Sequence, residues 1–169
     1  MLTDKNEPNL TSARLRELLI YDPLTGVFTY RISRRGGVRA GAVAGCPNAK
    51  GYIVIKIDMV LYYAHRLAWL YVHGVWPPDQ IDHKDTVCHH NWIANLRLAT
   101  GFQNYANRRR YRNNKSGFKG VYQRHGRWQA RIIKDGNHRH IGIFDTPEEA
   151  HAAYVAKAED LFGEYANAG

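Results

Sequence analysis

The sequence predicts an α+β chain of short antiparallel strands and short helices, set out as successive modules. Three observations carry this. β-Rich runs are broken by tight-turn residues: Asp58–Met59 within "YIVIKIDMVLYY", and His125–Gly126 and Asp135–Gly136–Asn137 within "GFKGVYQRHGRWQARIIKDGNHRHIGIFDT". Apolar residues recur at helical spacing behind capping residues, as in "TPEEAHAAYVAKAEDLFG". Between them "RRRYRNNKSG", from Arg108 to Gly117, is basic, turn-rich and without apolar periodicity, as a linker is.

In chain order, Leu10 to Ile20 reads as a short helix with Leu15, Leu18 and Leu19 on one face and Thr11 or Ser12 as its cap. "YDPLTGVFTYRI" is a turn followed by a strand, since Asp-Pro and Thr-Gly bend the chain and Val27, Phe28 and Tyr30 favour extension. "SRRGGVRAGAVAGCPNAKG" is a loop or an irregular hairpin. The hairpin at Asp58–Met59 passes into a helix with Ala64, Leu67, Ala68 and Tyr71 on one face, ended by Gly74 and Pro77–Pro78. Trp92 to Thr100 is ambiguous, and "TGFQNYANRRR" is helical behind a Thr100 cap. The last fifty residues predict three strands backed by a helix that Thr146 caps, with Pro147 at its first position and Glu148 and Glu149 at the positive dipole end.

The 169 residues allow one ordinary domain or two small ones, and 44% hydrophobic residues suffice for a core. No apolar run approaches the roughly 18 residues of a membrane span. "MLTDKNEPNLTSARL" lacks the apolar core of a signal peptide, so the expected location is the cytoplasm, with no membrane partner. Cys46 and Cys88 are too few for a four-cysteine zinc site, and Cys88 beside His89 and His90 reads as a loop cysteine. Lys and Arg number 24 against 15 Asp and Glu, a net charge of +9, interleaved with eleven tyrosines and four tryptophans. Such a surface suits a polyanion.

"IDHKDTVCHHNWIANLRLATGFQN", from Ile81 to Asn104, gathers the polar residues with chemical potential. A histidine can take a proton from water, and a hard divalent cation bound by Asp and Asn oxygens can stabilise charge on a phosphate. The same residues can also serve as a hydrogen-bonded turn and as helix caps, without chemistry.

Asp82-His83, then Asn95-Leu96-Arg97, then Asn104 in Phe102-Gln103-Asn104 resemble the HNH nuclease motif of phage intron-encoded homing endonucleases, in an H-N-N variant with asparagine for the last histidine. "AHRLAWLYVHGVWPPDQIDH" resembles that family too, whereas the loop "KDTVCHHNW" departs from it with His89 and His90. The resemblance implies a ββα-metal fold. It also implies His83 as the general base, Asn95 as the residue that orients His83 and braces the loop, and Asp82 and Asn104 as ligands of one Mg2+ or Mn2+ ion. Double-stranded DNA is the implied substrate. One active site per chain predicts a monomer that nicks one strand; two chains could cut both. A phage-encoded enzyme would act in the host cytoplasm.

Along "RWQARIIKD", Trp128, Ala130 and Ile132 share one face, suited to the helix, and Gln129, Arg131 and Ile133 share the other, suited to DNA. Lys119, Tyr122, Arg124, His138 and His140 extend that second face. Residues 115–167 resemble the plant ethylene-response-factor (Apetala-type) DNA-binding domain through Lys119-Gly120-Val121, Gln123-Arg124, Gly126, Trp128, Ile141-Gly142-Ile143-Phe144, Thr146, Glu148-Glu149-Ala150, Ala153-Tyr154 and Ala158. Tyr122, Arg131, Ile133, His138 and His140 differ from the residues common in plant domains, so the resemblance implies the fold and docking face but no target sequence. Residues 1–63 then form a β-rich DNA-contacting region in which Arg31, Arg34, Arg35 and Arg39 face phosphates. Residues 64–107 form the nuclease module, 108–116 a linker with Arg108, Arg109, Arg110 and Arg112, and 117–169 the address module. Two rivals are a non-catalytic DNA-binding regulator on a decayed nuclease fold and an RNA-binding protein.

Overall fold

The computed structural model describes residues 9–34, 36–111, 113–167 and 169; Arg35 and Arg112 lie outside the described residues. Helices and small antiparallel sheets are mixed, as the sequence predicts. The chain divides into two compact units, one ending at Leu98 and one starting at Ala99.

In the first unit, α1 (Ser12–Leu18) starts at Thr11, whose hydroxyl accepts the Arg14 amide at 3.1 Å. It buries Leu15 and Leu18. Strands β1 (Leu19–Tyr21) and β2 (Phe28–Tyr30) pair antiparallel. The turn between them is held by the Asp22 carboxylate, which accepts from the Leu24 amide at 2.9 Å and the Thr25 hydroxyl at 2.7 Å. The "SRRGG" stretch leads to a two-residue strand, β3 (Cys46–Pro47), on the edge of a sheet with β4 (Ile53–Ile57) and β5 (Val60–Tyr63). Asp58 and Met59 turn the β4–β5 hairpin with φ of 45° and 69°, the left-handed pair that matches strand twist.

Helix α2 (Ala64–His73) follows at once and ends at Gly74, φ 79°. Its Ala64, Leu67, Ala68 and Leu70 join Leu15, Leu19, Phe28 and Ile55 in the core. Strand β6 (Gln80–His83) and strand β7 (Leu96–Ala99) pair beyond it, joined by a loop that ends in a 3-10 turn at Ile93–Asn95.

In the second unit, α3 (Gly101–Asn107) begins with a capping box between Thr100 and Gln103. Strands β8 (Val121–Arg124), β9 (Arg127–Lys134) and β10 (Asn137–Phe144) form one antiparallel sheet with β9 central. Helix α4 (Pro147–Phe162) has its own box between Thr146 and Glu149. Ala150, Tyr154 and Ala158, spaced by four, pack on Val121, Ala130 and Ile132. Gly120, φ 73°, allows this approach, since a Cβ there would stand 2.3 Å from the Tyr154 ring. Among the described residues no helix is long and apolar enough to cross a membrane.

Candidate active site

Strand β6 delivers Asp82 and His83 side by side, and both are buried, at 4% and 5% exposure. Adjacent strand residues project to opposite sides, and each side chain meets a different partner. Arg97 on β7 places Nε and Nη2 each 2.9 Å from Asp82 Oδ2. His83 Nε2 lies 3.1 Å from Asn91 Oδ1. A carbonyl oxygen opposite Nε2 assigns the ring proton to that nitrogen, which leaves the lone pair of the neutral imidazole on Nδ1.

Asn91 is itself held from two sides. Tyr21 on β1 donates its hydroxyl to the Asn91 carbonyl at 2.7 Å. The Asp22–Val27 turn presses on the same backbone: a Cβ on Gly26, φ 75°, would lie 2.2 Å from Trp92 N and 2.3 Å from Asn91 C. Only glycine fits there. The N-terminal hairpin therefore fixes the residue that fixes His83.

Asn95 bonds within the loop between β6 and β7. Its Oδ1 accepts the Asp85 amide at 3.1 Å, and its Nδ2 donates to Asp85 Oδ1 at 3.0 Å and to the His90 carbonyl at 2.9 Å. The side chain that meets His83 Nε2 is Asn91. Asp85 also accepts the Val87 amide at 2.9 Å and stands 2.6 Å from His90 Nδ1. Burial works to raise the Asp85 carboxyl, but its bonds from Val87, His90 and Asn95 outweigh this and hold it below the usual range. So His90, one of the two unusual loop histidines, is a loop brace.

An aromatic wall backs His83. His65, from the first turn of α2, sets its ring edge-on at 5.1 Å, Tyr52 stands at 6.0 Å, and Tyr63 stacks on His65 at 5.2 Å. Burial lowers the His83 pKa; the Asn91 bond and the Asp85 and Asp82 charges oppose this only in part. Burial and the nearby His83 and Arg66 push His65 much further down, and its Nδ1 is buried without a partner. Both rings are thus kept neutral at physiological pH.

Asn104 stands on α3 in the second unit. Among the described residues no three His, Cys, Asp or Glu converge as a metal site. A hard divalent ion needs no such group: one or two protein oxygens plus water and phosphate oxygens complete its shell, and the Asp and Asn oxygens fit that chemistry.

The expected DNA contacts fall on both units. Arg39 is exposed; Arg31 Nε donates to the Arg16 carbonyl at 2.7 Å, and Arg34 lies over the Tyr30 ring. Arg108, Arg109, Arg110, Tyr122, Arg124, His138 and His140 are exposed, and Lys119 and Arg131 are half-buried. Gln129 differs from the free face residue the alternation predicts. Tyr122 and Ile143 flank it in register, leaving 8% exposed, and its amide lies 2.8 Å from His140 Nδ1.

Sequence reasoning missed Asn91 as the partner of His83, Arg97 as the partner of Asp82, and His65. Asn91 and Arg97 were within the quoted motif, but nothing in their spacing names their partners.

Residues 62–106 match a family model described as HNH endonuclease. The chain is also 33% identical over 114 residues to an uncharacterised HNH endonuclease of Acanthamoeba polyphaga mimivirus; the match covers 66% of this chain and 59% of that relative's length. No solved structure matches. The family match takes in β6, the braced loop and β7, so the segment that holds Asp82, His83, Asn91 and Asn95 is similar to an HNH endonuclease domain.

Proposed function

We propose that the chain is a metal-dependent, site-specific DNA endonuclease of homing type that nicks one strand. The observation that carries this is the His83 ring: buried, kept neutral, fixed through Nε2 by Asn91, and adjacent in chain to the Asp82 carboxylate.

His83 takes the proton from the attacking water at Nδ1. Asn91 holds the ring in the tautomer that carries its lone pair on Nδ1, and the resulting imidazolium gains from the Asp85 and Asp82 charges. Asn95 keeps the loop closed beneath it. Asp82 and Asn104 would hold one Mg2+ or Mn2+ ion, which supplies charge stabilisation at the scissile phosphate. The C-terminal sheet and the arginines of both units supply affinity and address. Supercoiled and duplex substrates in Mg2+, with and without chelator, test the reading; activity that persists in excess chelator overturns the metal role.

A second reading has one observation in its favour. Asp82 is already engaged by Arg97 in a buried ion pair, as a purely structural carboxylate would be. A non-catalytic DNA-binding regulator would bind the same duplex and leave it intact under every metal tried.

A further inference from the structure

The second unit contains a cavity that the catalytic reading does not use, formed where the segment after α3 meets the sheet. Five cations line it, and no Asp or Glu does among the described residues. Two of its arginines are held by tyrosine rings. The Arg108 guanidinium lies 5.5 Å from the centre of Tyr105 and 5.4 Å from that of Tyr111, whose hydroxyls are 3.4 Å apart. The Arg131 guanidinium lies 4.8 Å above Tyr122.

A ring takes a guanidinium by its flat face and leaves the N–H fork at the edge for an oxyanion. Arg131 Nε is also buried with no hydrogen-bond partner, a donor that is costly to leave unmade and that an incoming acceptor would satisfy. Lys119 is spent on structure: its Nζ donates to the Ala106 carbonyl at 2.6 Å and the Asn167 carbonyl at 2.9 Å. Burial, and then the Arg108 charge, lower it to about 8, so the local field is one an anion relieves.

We propose that this cavity is a phosphate seat, in which Arg108 and Arg131, each backed by tyrosine, grip a backbone phosphate of DNA. Arg131 then positions the duplex and reads no base. The proposal needs no cleavage, so it stands or falls apart from the nuclease reading.

The experiment is equilibrium binding of the full chain, in chelator, to a short random-sequence duplex across a salt series. Wild type is compared with Arg131→Gln, Arg131→Lys and Tyr122→Leu, each checked for folding by circular dichroism. Losing one phosphate contact makes the log–log salt slope shallower by about 0.9, so Arg131→Gln should forgo about a threefold fall in affinity between about 50 and 200 mM salt. Arg131→Lys should keep most of the slope but bind more weakly, since the fork is lost and the charge is not. Tyr122→Leu should weaken binding although it removes no charge. The weakening should be uniform over unrelated duplexes. A slope unchanged in Arg131→Gln, or a loss confined to particular sequences, overturns the seat. A parallel titration with inorganic phosphate follows the Arg131 Nε–H resonance. A shift there without any change in the duplex slope would assign the cavity to free phosphate and overturn the DNA proposal.

Discussion

His83 carries two consequences that separate chemistry from folding. His83→Ala should abolish cleavage, a loss of about 10²–10⁴-fold for a general base, with duplex affinity close to wild type, because the ring is buried and neutral and so contributes no charge to DNA binding. Cleavage near the wild-type rate in a folded His83→Ala protein would remove the central assignment. The second test moves the base without deleting it. Burial holds His83 below the usual histidine range, so the wild-type rate should stay high on the acid side down to a pH below about 6.5. Asn91→Asp puts a carboxylate 3.1 Å from Nε2 in place of an amide. That favours imidazolium and raises the His83 pKa, so the acid limb of the rate profile should move to higher pH. An unmoved limb would mean that another group controls it. Asp82 is less clean. Asp82→Ala leaves Arg97, only 10% exposed, without its carboxylate, and breaking such a buried pair costs about 3–5 kcal/mol. Asp82→Asn should keep more stability while raising the metal concentration needed for half-maximal rate.

At the level of elements, the site depends on a hairpin that contributes no catalytic group. The β1–β2 turn lies against Asn91–Trp92 so closely that Gly26→Ala must push one backbone away from the other. The expected result is a folded, less stable protein that still binds duplex, with cleavage reduced at least tenfold through a displaced Asn91. Equal cleavage by Gly26→Ala would show that the loop tolerates the shift and that Asn91 is not fixed from this side. Asn95 acts within the loop: Asn95→Ala strips three hydrogen bonds from Asp85 and His90. Polar groups left unsatisfied cost about 1–3 kcal/mol each, and melting with ligand absent measures the loss.

Across the whole molecule, pH and truncation report on how the parts depend on one another. His65 and His83 are buried neutral, so each has a folded pKa below the unfolded value of about 6.5. The unfolded chain then binds more protons than the native one as pH falls below about 6.5. Stability is present above that pH and is lost on acidification until each folded pKa is reached. The slope is about 1.4 kcal/mol per pH unit for each fully titrating histidine. Urea melts at neutral and mildly acidic pH should show this, with a shallower slope in His65→Asn; identical slopes would place the acid sensitivity elsewhere. Cutting the chain after Lys115 tests the second unit. It removes Lys119, whose Nζ binds the Ala106 carbonyl, and Asn167, whose Nδ2 donates to the Asn107 carbonyl at 3.0 Å. These groups tie down the end of α3, the helix that carries Asn104. The truncated chain should therefore need more metal as well as bind duplex more weakly. A metal titration unchanged by the cut would uncouple Asn104 from the C-terminal sheet.

Most local structure was legible because local chemistry decides it. Thr11, Thr100 and Thr146 cap helices in the places their sequence indicates, and Asp58–Met59 and Gly74 turn and stop the chain where expected. The two-faced pattern of β9 set its inner face correctly, since strand alternation has a period of two. What the sequence could not decide is which polar groups meet. Asn91 and Asn95 are alike in type and four residues apart, yet one bonds His83 and the other closes on Asp85 and His90. That choice follows from the Gly26 turn and the Tyr21 hydroxyl, supplied from some seventy residues away in the chain. Gln129 follows the alternation and is still covered, because cross-strand neighbours at Tyr122 and Ile143 close over it. Periodicity and capping act over a few residues and can be read in one dimension; burial and partner choice depend on segments distant in sequence, and only the tertiary structure brings those together.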